Sequence, residues 1–386
     1  MSDFNFDAPT GAPQPAERDQ DYARRLAEAE RLVREGQLDD AQGALVDLYA
    51  ERPDDPVVIN DLGVVQWELG ERDEGLRLVL YASRQAPDYR EAALNLGQML
   101  AAGDHPENAY RVYRFYAARH PDDTEAAGLA RELEPQVGER LALPAGEVVT
   151  GRLGAAGQVR LDRRSGQLGG AWRPGAAPDT AELWEPEVVD FVAGLLAQTA
   201  QPLLWDAGAG AGCCSLLAAA QPGLTAWALE PNPQVWEILE NNLRLNGLAE
   251  RVRSLQVGLG QDNTRATLYV PSQSQDAARA GLARPAVLGE VREAAVNLWA
   301  WDRLARVLGL AGLSVAILDL AGSELAALRG GEVTVRRFQP ALLCAWEDEA
   351  ARGLGYELSE IAALLGAWGY GAPQPLGRRF ACFQAL

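Results

Sequence analysis

The sequence predicts an all-α helical repeat region followed by an α/β domain with a mostly parallel sheet. Three observations predict it. A 34-residue repeat runs through the first third of the chain. After Pro178, apolar runs of strand length alternate with helical patterns. The first of those strands to be well defined ends in a glycine-rich turn that opens a helix. The length of 386 residues also favours two domains over one.

Residues 1–18 are rich in Pro, Asp and Gly, and are expected to be a disordered tail. Residues 19–135 carry the repeat. Arg52-Pro53-Asp54-Asp55, Ala86-Pro87-Asp88-Tyr89 and His120-Pro121-Asp122-Asp123 recur at one spacing. Ala29, Gly63 and Gly97 keep that spacing, as do Leu45, Val79 and Tyr113. Gly36 and Gly70 repeat it too, with Asp104 in the third place. Each unit reads as two amphipathic helices around a glycine turn, closed by a proline. The small residues at 29, 63 and 97 let the paired helices approach closely. This period and these small positions resemble the tetratricopeptide repeat (TPR), with a partial match at the aromatic positions. One helix pair cannot bury its own apolar face, so the three units are expected to stack, with Thr124–Leu133 as a capping helix.

Residues 136–178 read as a linker with a short β-hairpin, Val148–Leu153 and Gln158–Leu161, at the entrance to the next domain. In residues 179–386 the expected order is helix Glu187–Gln198, strand Pro202–Asp206, helix Cys213–Ala220, strand Thr225–Leu229 and helix Gln234–Leu245. Strands Val252–Val257, Ala266–Val270, Leu313–Leu320 and Ala341–Trp346 follow, then helix Leu358–Trp368 and strand Phe380–Gln384.

Composition excludes several functions. The chain has no lysine, so Schiff-base and lysine-nucleophile chemistry are excluded. The net charge is −19. Most of it lies in the repeat region, which argues against nucleic acid and anionic lipid as partners. No apolar run is long enough to span a bilayer, and the N-terminus lacks the pattern of a signal peptide, so a cytoplasmic protein is expected. Cys213, Cys214, Cys344 and Cys382 form neither a disulfide framework nor a zinc pattern. Cys213-Cys214 reads as packing, with a redox pair as the alternative.

The chemical signature is Asp206-Ala207-Gly208-Ala209-Gly210-Ala211-Gly212, between a strand and a helix. Glycines let the backbone approach a ligand, and N–H groups at a helix start favour negative charge. A dinucleotide loop would place a third glycine at 213, where Cys213 stands. Asp206 directly before the loop suits the ammonium of a bound S-adenosylmethionine, and Gly208, Gly210 and Gly212 suit its methionine end. Glu230, in Glu230-Pro231-Asn232-Pro233, closes the next strand, where an acid accepts from ribose hydroxyls. An acid stands there in dinucleotide folds as well, so Glu230 alone does not separate the two.

Trp184-Glu185-Pro186, the glycine loop, Glu230-Pro231-Asn232-Pro233, Asn242-Leu243-Arg244-Leu245-Asn246 and Asp319-Leu320-Ala321-Gly322-Ser323-Glu324 together resemble the FkbM family of methyltransferases, over roughly Val148–Leu386. The resemblance implies a Rossmann-like class I methyltransferase domain, S-adenosyl-L-methionine as cofactor, and O-methylation of a hydroxyl on a sugar, glycan or small metabolite. It places Glu185 and Asn232 beside the cofactor, with a surface or capping role as the alternative for Glu185. Ile317 and Ala321 stand where the family pattern has Lys and Glu.

A hydroxyl acceptor calls for a general base. His105 and His120 lie in the repeat segment, so the base is expected to be a carboxylate: Asp319 first, at a strand end, and Glu324 second. Asp319 reads equally as a helix cap. Leu259, in a loop after the third strand, is expected to pack on adenine. Trp299 and Trp301 read as core, with an acceptor pocket as the alternative. The repeats are expected to bind a protein partner, with a solvated acidic surface as the plainer reading. Two further readings stay open. In one, the α/β domain is a degenerate scaffold and the repeats do the work. In the other, it is a nicotinamide-dependent oxidoreductase, which Cys213 disfavours.

Overall fold

The structure is a computed structural model. It describes residues 15–137, 141, 143, 145–168, 172–177, 179–183, 185–271, 280–283 and 291–386. The chain divides into two units, residues 1–116 with 125–138, and residues 117–124 with 139–386.

The repeat region is all-helical: α1 (Pro15–Arg34), α2 (Leu38–Glu51), α3 (Pro56–Glu68), α4 (Arg72–Gln85), α5 (Arg90–Ala102), α6 (Pro106–Arg119) and α7 (Thr124–Val137). Helix α1 begins at Pro15, inside the stretch expected to be a tail. Proline suits a first helical position because its missing N–H would be unpaired there anyway. Residues 1–14 of that expected tail lie outside the described residues.

The periodic residues have physical roles. Gly36, Gly70 and Asp104 have φ of 74°, 97° and 61°, so the third repeat turns on an aspartate in the left-handed region. Asp55, in the recurring Pro-Asp motif, accepts the Val57 N–H at 2.9 Å and caps α3. A Cβ on Gly97 would lie 2.2 Å from Cε1 of Tyr113, and one on Gly63 would lie 2.7 Å from Cγ2 of Val79. The helices therefore touch backbone to side chain at these positions, and Ala29 is fully buried.

The second unit opens with a small sheet. Strands β1 (Val148–Arg152) and β2 (Gln158–Asp162) form the expected antiparallel hairpin. Short helix α8 (Ser165–Leu168) follows, then β3 (Trp172–Pro174) and β4 (Thr180–Leu183). The order is β2-β1-β4-β3, so the hairpin is half of a four-stranded sheet. The two added strands are very short, and β3 contains Pro174, which hides them from sequence patterning.

The main sheet follows α9 (Pro186–Leu196). Its elements begin with β5 (Leu203–Ala207), β6 (Thr225–Leu229), α10 (Pro233–Leu245) and β7 (Val252–Leu255). Next come β8 (Gly258–Gly260), β9 (Thr264–Pro271), β10 (Val291–Ala300) and α11 (Trp301–Val307). The chain then returns through β11 (Val315–Leu318), α12 (Glu324–Arg329), α13 (Glu332–Phe338) and β12 (Ala341–Ala345). It ends with α14 (Asp348–Gly353), α15 (Leu358–Ala367), β13 (Gln374–Leu376) and β14 (Phe380–Phe383). The sheet order is β13-β14-β12-β11-β5-β6-β7. Strands β12, β11, β5, β6 and β7 run parallel, β14 joins β12 antiparallel, and β13 pairs antiparallel with β14 at the edge.

Two expectations are corrected. Ala266–Val270 belongs to β9, in a separate three-stranded sheet ordered β8-β10-β9. The segment expected as helix Cys213–Ala220 is a 3-10 turn over Ser215–Ala219. Strand β5 lies between β6, its successor, and β11, so the strand order reverses there. In open α/β sheets that reversal opens a crevice beyond the carboxyl ends of the strands. Asp206, Glu230 and Asp319 all stand at or just beyond those ends.

Candidate functional site

Strand β5 delivers Asp206 to a loop in which three positions take the left-handed backbone that favours glycine. Gly208, Gly210 and Gly212 have φ of 78°, 57° and 88°. A Cβ on Gly208 would lie 1.9 Å from the carbonyl oxygen of Asp319, so the loop packs directly on the end of β11. Several loop N–H groups are used inside the fold. Gly208 and Ala209 both donate to Leu229 O at 2.9 Å, and Gly212 donates to Ala209 O at 2.8 Å. Gly210 donates to Oε2 of Glu230 at 3.0 Å. These groups are therefore engaged with the protein, which narrows the expected use of glycine N–H groups by a ligand carboxylate.

Asp206 is buried. Its Oδ2 accepts both the N–H of Ser215 at 3.1 Å and its hydroxyl at 2.6 Å. Its carboxylate thus caps the turn that follows the loop. Burial pushes its pKa up to about 6, against the pull of the Ser215 bonds.

Glu230 brackets the loop from the other side. Its Oε1 accepts the Asn232 N–H at 2.8 Å while Oε2 holds Gly210. Burial pushes its pKa up to about 7, although both backbone donors oppose that. Asn232 caps α10 by accepting the Gln234 N–H at 3.2 Å. Its Nδ2 is buried with no hydrogen-bond partner among the described residues. A buried donor left unpaired costs free energy unless a ligand or water satisfies it.

Asn242 holds the loop in place. It is fully buried, and its Nδ2 donates to Ala211 O at 2.8 Å and to Ser165 Oγ at 2.9 Å. Its Oδ1 accepts the Asp162 N–H at 2.7 Å. Asn246 donates to Arg160 O at 2.7 Å. The Asn-Leu-x-x-Asn motif therefore fastens the glycine loop and α10 to β2. The motif was legible in the sequence, but this role was not.

At the end of β11, Asp319 is half-buried. Its Oδ2 accepts from Nη2 of Arg379 at 3.0 Å. No helix N–H is bonded to it, so the cap reading fails; the N-cap position of α12 is Ser323. Burial raises the Asp319 pKa, and Arg379 counters it. Arg379 was not singled out in the sequence. It also donates through Nε to Glu185 Oε2 at 3.3 Å and through Nη1 to Glu347 Oε1 at 2.9 Å. Glu185 further accepts the Arg378 N–H at 3.0 Å. Glu185 is thus brought into the Asp319 cluster, while Trp184 lies outside the described residues.

Glu324 is set apart. It is 2% exposed. Its Oε1 accepts from the N–H groups of Leu320 at 2.8 Å and Gly322 at 3.3 Å, and its Oε2 accepts from Tyr356 Oη at 3.1 Å. It clamps a loop in which Ala321 has φ of 49° and Gly322 φ of 100°. A carboxylate so enclosed offers no oxygen to an acceptor. Leu259 lies in strand β8 rather than in a loop. It is 1% exposed and sits in the core cluster with Trp299 and Leu325, so it presents no surface to a purine. Trp299 and Trp301 are core as well, and Trp301 stacks on Trp205 at 5.5 Å. The Cys213 contact and burial push the Cys214 thiol up, which argues against Cys214 as a reactive thiolate.

Residues 206–371 match the model of the methyltransferase FkbM domain. A crystal structure of methyltransferase FkbM from Methylobacillus flagellatus is similar at 17% identity, over 47% of this chain and 43% of that one, with a TM-score of 0.35. The chain therefore spans less than half of that protein. The first TPR of Spaghetti (RPAP3) bound to an HSP90 peptide is similar at 17% identity, over 31% of this chain and 94% of that one, with a TM-score of 0.29. The type III secretion translocator chaperone SycD of Yersinia enterocolitica is similar at 13% identity, over 33% and 98%, with a TM-score of 0.29. No curated protein matches by sequence. Among the described residues, no helix is long and apolar enough to cross a membrane.

Proposed function

We propose that the α/β unit, which carries the FkbM methyltransferase domain, binds S-adenosyl-L-methionine and methylates a hydroxyl of a sugar, glycan or small metabolite. The observation that carries this reading is the bracket of Glu230 on Gly210 and Asn232, at the sheet's reversal point. The residues fit the cofactor. The orphaned Nδ2 of Asn232 is a donor that a ribose oxygen or a purine nitrogen would satisfy. Glu230 supplies the acceptor for the ribose hydroxyls, and Asp206 with the loop Gly208–Gly212 frames the methionine end.

The cofactor supplies a methyl group activated on a sulfonium. The chain's part is alignment, exclusion of water and removal of the acceptor's proton. Asp319 is the proposed base, since it stands beside the loop and keeps partial exposure. Glu324 is not assigned that role, because it is 2% exposed and closed in by Leu320, Gly322 and Tyr356. Glu185 acts at this site through Arg379 rather than on the cofactor directly. The helical repeats are proposed to dock a protein partner, and their negative charge suits a basic one.

A second reading has a specific observation in its favour. The Asp319 carboxylate is held by the Arg379 guanidinium, and Ala321 supplies no carboxylate. Such a site would bind the cofactor without turnover. Two measurements on the full chain separate these readings. Calorimetry with S-adenosylmethionine should give saturable binding that Glu230→Ala weakens. A host lysate with labelled methyl donor should then yield a methylated product; binding without product favours the second reading, and no binding overturns both.

A further inference from the structure

Arg379 lies on the turn between β13 and β14 and joins three parts of the chain. Nε reaches Glu185 before α9, Nη1 reaches Glu347 after β12, and Nη2 reaches Asp319 after β11. Its own carbonyl oxygen accepts the Trp346 N–H at 2.5 Å. Its guanidinium carbon lies 5.3 Å from the centroid of the Phe380 ring. The turn is thereby held by backbone, ring and charge at once.

A guanidinium is a rigid planar fork that offers donors in several directions, whereas an ammonium is a point donor on a flexible stem. Here each of the three nitrogens serves a different carboxylate. Without the guanidinium, Asp319 would face Glu185 and Glu347 uncompensated, with Asp206, Glu230 and Glu324 adding negative field from neighbouring elements. Like charges so placed repel, and a carboxylate among them turns away or takes up a proton.

We propose that Arg379 is a positioning residue for Asp319. It fixes the direction and charge of the carboxylate that ends β11, and it links that carboxylate through Glu185 and Glu347 to α9 and to the segment after β12. The inference rests on the reading of Asp319 as the base. With Oδ2 held by Arg379, Oδ1 would take the acceptor's O–H proton while the methyl–oxygen bond forms and the sulfonium's methyl–sulfur bond breaks, its electron pair staying on a neutral thioether.

The test is carbon NMR titration of the full chain with 13C-labelled aspartate, the Asp319 carboxyl signal being assigned by its loss in Asp319→Asn. In Arg379→Gln the Asp319 midpoint should rise by about one pH unit or more. Arg379→Lys should recover less than half of that shift. Glu347→Gln, at an exposed residue, should move the midpoint the opposite way, downward, because a like charge is removed. An unmoved midpoint in Arg379→Gln, full recovery by lysine, or an unmoved or rising midpoint in Glu347→Gln overturns the inference. A purely structural role would lower the melting temperature without these opposed shifts. Calorimetry with S-adenosylmethionine on the wild-type sample tests the functional reading separately. Absent binding counts against that reading and leaves the midpoints standing, whereas unmoved midpoints with normal binding count against Arg379 alone.

Discussion

Gly210 gives its backbone N–H to Oε2 of Glu230 at 3.0 Å, so the acid that closes β6 is also a strut of the glycine loop that closes β5. Removing the Glu230 carboxylate therefore takes away a proposed ribose ligand and loosens the loop that frames the methionine end. Glu230→Gln keeps the length but replaces one accepting oxygen with a donor that faces an N–H. It should weaken S-adenosylmethionine binding by about tenfold or more, as a lost charge-assisted bond implies. Calorimetry checks this, and unchanged affinity would separate Glu230 from the cofactor.

Gly208→Ala should abolish cofactor binding, and it should also destabilise the second unit. The added Cβ would sit 1.9 Å from the Asp319 carbonyl oxygen at a φ of 78°, so both the strand end and the loop must move. Denaturant unfolding should show a loss of about 2 kcal/mol or more.

Asn242→Ala removes the side chain that joins Ala211, Ser165 and Asp162. It leaves buried partners unsatisfied, so a loss of about 2–3 kcal/mol is expected. Ser165→Ala removes one arm only and should cost about 1 kcal/mol. Equal effects of the two variants in denaturant unfolding would contradict the bracket.

In the repeats, glycine position decides the sign of a change to alanine. Gly97→Ala drives a Cβ to 2.2 Å from the Tyr113 ring and should destabilise by about 1–3 kcal/mol. Gly43→Ala, in α2, meets nothing within 4 Å and should stabilise by about 0.5–1 kcal/mol. Thermal melting of the two variants checks the opposed signs.

Asp61, on α3, provides a pH test. Burial pushes its pKa up to about 6, with Glu30, Asp55 and Glu91 adding to the effect. An acid whose pKa is higher folded than unfolded stabilises the fold fully below about pH 4. That contribution is lost as pH rises through about 6. Asp61→Asn keeps the acceptor for Asn60 and removes the charge. After allowance for solvent screening, it should be more stable than wild type by about 1 kcal/mol at pH 8, and equal to it near pH 4. A constant difference across that range would contradict the assignment.

Much of the fold was legible because its signals are local. The left-handed turns at Gly36, Gly70 and Asp104 recur at one spacing, and the glycine loop follows an apolar strand. Strand β10 was hidden, since Val291–Ala300 mixes charged and small residues and alternates poorly. The site was legible in part. Glu230 and Asp206 belong to contiguous motifs, although their partners inside the fold were not foreseeable. Arg379 lies 60 residues from Asp319 and 194 from Glu185, and no periodicity links such positions. The same distance effect hid the enclosure of Glu324 by Tyr356, 32 residues away.

The glycine loop after Asp206, together with Glu230, is proposed to hold S-adenosylmethionine. Calorimetric titration of the full chain with that compound, in parallel with Glu230→Ala, tests it most directly. Wild type should show one saturable site per chain, and the variant at least about tenfold weaker binding. No heat of binding in folded wild-type protein, or equal affinity in the two, would contradict it.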